Sequence, residues 1–185
     1  MSDTVIERPR PGSARERLLA AAARLFYGDG INTTGVEAIA ATAGVTKATL
    51  YNNFRSKDDL VVAYLRGKLD DTRASLSDHD APDASPVVRV RAMFDTLEAD
   101  IAAGRFDGCP FAKAAVEVPG NAEAMAIVRE HHDDVVGHLA RITGDADAAE
   151  TIAMLYDGAI IAAKATGDGA PVAHARLAAT RLVAR

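Results

Sequence analysis

An all-α fold is predicted for this chain of 185 residues, and three observations predict it. Apolar residues recur at helical spacing along most of its length. No run of alternating β-branched residues competes with that pattern. Two short helical patterns near residues 34–53 meet at a glycine and are followed at once by a further helix start, the sequence form of a helix-turn-helix. The composition, 49% hydrophobic and 25% charged with no Trp, suits a globular protein with a real core.

Residues 1–12 contain Arg8, Pro9, Arg10 and Pro11 without periodicity and read as a flexible basic arm, either a plain terminus or a contact to DNA backbone. A first helix is expected over 13–27, with Ser13 as N-cap and Leu18, Leu19, Ala22, Leu25 and Phe26 forming one apolar stripe; Gly28 and Gly30 end it. A second begins after Thr34, read as its N-cap, and carries Val36, Ile39, Ala40 and Ala43 inward. Gly44 supplies the turn, where a residue without Cβ takes positive φ. The third helix runs from Thr46 to near Asn53. The segment 56–59 has capping-box spacing with Asp in the last place, and opens a fourth helix reaching Asp78.

A polar linker over 78–86 follows. Ser85-Pro86 then reads as an N-cap with Pro at the first helical position. Further helices are expected over 86–103, 111–118, 121–142, 146–166 and 171–183, separated by Gly- and Pro-containing breaks.

The net charge of −5 is unevenly spread. Residues 1–68 hold ten Lys/Arg against seven Asp/Glu, and the remainder eleven against nineteen, so the first part is +3 and the rest −8. The basic part coincides with the helix-turn-helix. The single cysteine, Cys109, excludes an internal disulfide and a Cys-rich zinc site, and a reducing cytoplasm is the natural compartment. Arg24 interrupts the apolar stretch near the N-terminus, so a targeting signal is not expected. No stretch reaches the ~18 uncharged apolar residues of a membrane span, and no membrane partner is expected.

A recognition helix needs one face to pack and another to offer donors and acceptors. Val45, Leu50 and Phe54 are the inward residues. Thr46, Lys47, Ala48, Thr49, Tyr51, Asn52 and Asn53 remain for double-stranded DNA, with one or two turned away. Asn bonds adenine in a bidentate way, and Ala48 or a Thr methyl meets a thymine methyl. Lys47, Tyr51 and Lys57 suit phosphates, and Thr34 and Ser56 sit at helix starts that can face phosphate oxygens.

The stretch "RERLLAAAARLFYGDGINTTGVEAIAATAGVTKATLYNNFRSKDDL" resembles the DNA-binding domain of the TetR family of bacterial transcriptional regulators. The resemblance rests on Leu25-Phe26, Gly30, Thr34, Ile39-Ala40, Ala43-Gly44-Val45, Thr49-Leu50-Tyr51, Phe54 and Ser56-Lys57. Asn53 departs from it, since many members carry His there. The resemblance implies phosphate contacts at Thr34 and Lys57. It also implies an N-terminal three-helix domain over 13–66 and a helical effector-binding and dimerisation domain over 67–185.

Under that implication a largely apolar small-molecule effector would be lined by Phe94, Leu97, Ile101, Cys109, Phe111, Val118, Met125, Val128, His132 and Tyr156, the alternative for each apolar one being plain core packing. A homodimer interface would use Ile152, Leu155, Ala159, Ile160, Ala163, Leu177 and Leu182, unless these serve the subunit's own core. His131, His132 and His138 read as surface histidines, Cys109 as a buried small side chain, and neither metal nor cofactor is expected. The expected function is a ligand-responsive regulator, a repressor released by its effector from a palindromic operator. An activator or ligand-independent regulator is the alternative. A small helical enzyme is remote, because the chain has no G-x-S-x-G, no H-E-x-x-H and no Gly-rich phosphate loop.

Overall fold

The computed structural model describes residues 12–78 and 83–184. Most of the expected arm and the middle of the expected linker lie outside them. The described residues form α1 (Ala14–Gly28), α2 (Val36–Thr42), α3 (Lys47–Asn53), α4 (Lys57–Asp78), α5 (Pro86–Ala102), α6 (Pro110–Glu117), α7 (Ala122–Thr143), α8 (Ala146–Thr166) and α9 (Ala170–Val183). They contain no strand. The chain divides into two compact units, one ending at Tyr64 and the other beginning at Leu65, so α4 contributes residues to both.

In the first unit α1 packs on α2 and α3. Ser13 caps α1 through a complete capping box: its hydroxyl accepts from the Glu16 N–H, and the Glu16 carboxylate accepts from the Ser13 N–H at 2.7 Å. Leu18, Ala22 and Phe26 are fully buried on the predicted stripe. Phe26 meets Tyr64 edge to face, with ring centroids 5.5 Å apart. At the start of α4 the Ser56 hydroxyl accepts from the Asp59 N–H as expected, but the Asp59 carboxylate bonds the N–H of Arg55, not that of the capping residue.

One boundary differs from the sequence reading. The N-cap of α2 is Gly35, without a side-chain cap, and not Thr34. Gly30 has φ of 99°, which turns its carbonyl back toward Thr34, and the buried Thr34 hydroxyl donates to it at 2.6 Å. A proton committed there, on a side chain removed from solvent, is poorly placed for a phosphate.

In the second unit α5, α7, α8 and α9 surround one core that includes Phe94, Leu97, Leu139, Ile152 and Val172. Each fully buried side chain of this kind contributes on the order of 1.5–3 kcal/mol. Arg176 of α9 ties back to α5, bonding Glu98 at 2.6 Å and also Asp95.

Candidate nucleic-acid interface

The turn before α3 is built by backbone. The Gly44 N–H donates to the Ala41 carbonyl at 3.1 Å and the Val45 N–H to the Ala40 carbonyl at 3.0 Å, with Gly44 at φ of 64°. The Arg17 guanidinium of α1 donates to the Ala43 carbonyl at 3.2 Å, which clamps the turn from behind. On α3, Leu50 is fully buried and Phe54 nearly so, with the Arg15 guanidinium 5.0 Å from the Phe54 ring centre. These contacts set which way the helix faces.

Thr46 caps α3, its hydroxyl accepting from the Thr49 N–H at 3.1 Å and sharing a 2.9 Å hydrogen bond with the Thr49 hydroxyl. Asn53 is turned away, its amide donating to the Thr49 carbonyl at 2.8 Å. Lys47, Ala48, Tyr51 and Asn52 remain exposed on the outer face, and Lys57 is half-buried at the first turn of α4. Lys47 Nζ lies 2.5 Å from Glu37 Oε1 of α2. This hydrogen bond and charge raise the Lys47 pKa and lower that of Glu37. Sequence reasoning missed Glu37; an acid ten residues before its lysine partner carries no periodic signal.

Residues 18–64 match the model of the bacterial regulatory proteins of the tetR family. Across nearly the whole fold, the chain is similar to SCO4454, a TetR-family transcriptional regulator from Streptomyces coelicolor. The two are 32% identical, with 95% of this chain and 92% of that one covered and a TM-score of 0.84. The chain belongs to the TetR family. A putative TetR-type regulator from Streptomyces avermitilis is 30% identical, covering 92% of this chain and 99% of that one, with a TM-score of 0.75. The transcriptional repressor KstR2 of Mycobacterium tuberculosis is 38% identical over 82 residues; the match spans 44% of this chain and only 41% of that repressor's length. The protein is therefore a TetR-family transcriptional regulator.

In the second unit of this TetR-family chain, Phe94 and Leu97 are buried in the core, with Ile101, Cys109 and Tyr156 packed against it; the Phe94 and Tyr156 rings meet edge to face at 5.3 Å. Phe111 is buried and stacks on His131 at 3.8 Å. Val118, Met125 and Val128 are half-buried, and His132 is exposed, 3.8 Å from Glu150. None of these residues, proposed from sequence as effector contacts, lines the cavity of about 210 Å³ between α4 and α7.

The histidines need correction. His138 is buried, and His131 is sufficiently enclosed that desolvation lowers its pKa to about 4. Among the described residues no cluster of metal-ligating side chains forms. Cys109 caps α6, and burial raises its thiol pKa, the opposite of what a reactive cysteine needs.

The interface assignment is corrected in part. Ile152, Ala159, Ile160 and Ala163 are buried within the chain's own core, so their surface is already spent, and Leu155 and Leu182 pack against the same core. Leu177 stays 52% exposed. Met154 and Ile161, absent from the sequence assignment, are 64% and 63% exposed. They stand seven residues apart with Gly158 between, on the stripe of α8 opposite its buried one. Reading the wide apolar pattern of α8 as a single face hid this second one.

Proposed function

We propose that this regulator is a ligand-responsive repressor that binds a palindromic operator as a homodimer and leaves it when a small effector binds. The observation that carries the reading is the outer face of α3, where Lys47, Ala48, Tyr51 and Asn52 stand exposed on a helix anchored by Leu50. Lys47 and Tyr51 take phosphates, and Asn52 and Ala48 read base edges. One helix in one half-site offers few base contacts; a two-fold partner doubles them and demands an inverted repeat.

Met154, Ile161 and Leu177 supply the apolar face for that partner, and Gly158 permits close approach of the paired helices. The repressor sign is supported by the KstR2 repressors, which match this chain over 82 residues in one case and 61 in another. The effector belongs to the second unit, around Phe94, Phe111 and Tyr156, and α4, which has residues in both units, carries the response.

Selection from random duplexes at low salt tests the operator. Enrichment of an inverted repeat with half-site centres about 34 Å apart is expected. Enrichment of no such repeat by well-folded protein overturns the reading.

A further inference from the structure

Helix α7 carries a notch on the side that faces α4. Asp133, Gly137 and Arg141 stand at i, i+4 and i+8, one stripe along the helix. The middle position has no side chain, although its φ is not positive and no crowding requires glycine: a Cβ there would meet only the Arg141 guanidinium, at 3.7 Å. Glycine inside a helix costs stability relative to alanine. What it provides here is room, a cleft of about 210 Å³ bounded by this stripe, by Asp134 and His138 beside it, and by Arg73, Leu76 and Ser77 of α4.

The wall beside the notch is already neutralised. Arg73 donates from Nε to Asp134 and from a terminal nitrogen to Glu130, both at 2.7 Å, and Arg66 donates to Glu130 at 2.5 Å. The exposed side chains of Arg141 and Asp133 make no hydrogen bond or ion pair with any described residue. The notch thus offers one unspent cation and one unspent anion on either side of an empty position, with Leu76 as an apolar flank. A cleft of about 210 Å³ lies below the usual size of a site for a drug-sized molecule. A guanidinium matches a carboxylate with two parallel hydrogen bonds.

We propose that the α4–α7 notch binds a small zwitterion of amino-acid size, its carboxylate on Arg141 and its ammonium on Asp133. The site is separate from the apolar region assigned to the effector, and it does not depend on DNA binding.

Isothermal titration of the full chain with the common L-amino acids at millimolar concentration tests the proposal. Matched carboxylic acids lacking the amine serve as controls. At least one amino acid should bind saturably, and its deaminated counterpart at least about tenfold more weakly. Gly137→Leu, which fills the notch, and Arg141→Gln, which removes the guanidinium, should each weaken binding by about tenfold or more. Circular dichroism should show both variants fully helical. The proposal is overturned if no amino acid binds, if the deaminated acid binds equally well, or if both folded variants bind as the parent does. Operator selection is read independently, so failure here leaves the DNA-binding assignment standing.

Discussion

Lys47 holds Glu37 in the free protein, and under the proposed contact a DNA phosphate would compete for the same ammonium. Glu37→Gln removes the competitor and one negative charge from the DNA side. Affinity for all duplexes should rise several-fold, and the slope of log K against log salt should steepen by about 0.9 if Lys47 then meets one phosphate. Unchanged slope and affinity in a mobility-shift series across salt would exclude Lys47 from the backbone contacts. His131 poses a separate residue-scale problem. Its pKa falls from 6.5 to about 4 because burial disfavours the cation. Between those values the unfolded chain binds a proton that the folded chain does not. Its contribution is therefore intact above pH 6.5 and is lost as the pH falls toward 4, by roughly 3 kcal/mol at most. His131→Phe keeps a ring against Phe111 and should flatten the loss of denaturation midpoint over that window relative to the parent. Parallel pH profiles for the two proteins would refute this account.

At the scale of elements, the helix-turn-helix depends on a single backbone conformation. Gly44 has φ of 64°, and a Cβ there would meet nothing within 4 Å, so a substitution suffers from conformation alone. Gly44→Val should cost about 1–2 kcal/mol, and Gly44→Asn clearly less, because Asn tolerates the left-handed region. Equal chemical-denaturation midpoints for the two variants would show that the turn imposes no such demand. This glycine was legible in the sequence because a turn between two apolar stripes leaves little choice. Ser13 and Ser85 were legible as caps because each accepts from an N–H three residues on, a strictly local geometry; Thr46 does the same, although the sequence reads it as the first helical residue and a DNA contact. Thr34 was misread because its hydroxyl partner, the Gly30 carbonyl, is set by a preceding loop whose path no spacing rule encodes. Burial of His138 was equally invisible, since a helix pattern does not say which polar residue a neighbouring helix will cover.

For the whole molecule, the proposed homodimer would be held by the exposed row of Met154 and Ile161 on α8, with Leu177 on α9. Ile161→Glu puts a charge on that row without touching the buried core. The variant should sediment as a monomer, keep its thermal midpoint within a few degrees when compared at equal low concentration, and lose at least about tenfold in operator affinity. An unchanged sedimentation coefficient would move the interface elsewhere. The outward stripe of α8 escaped sequence reading because inward and outward faces are both apolar there, and only packing tells them apart. The burial of Cys109, the chain's single cysteine, has a practical outcome at this scale. A thiol held in its protonated form reacts sluggishly near neutral pH. A second cysteine engineered at an exposed position such as Asn52 would take a maleimide dye or spin label ahead of the native one. In the proposed homodimer, label-to-label distances would then report movement of the two α3 helices without first removing a natural side chain.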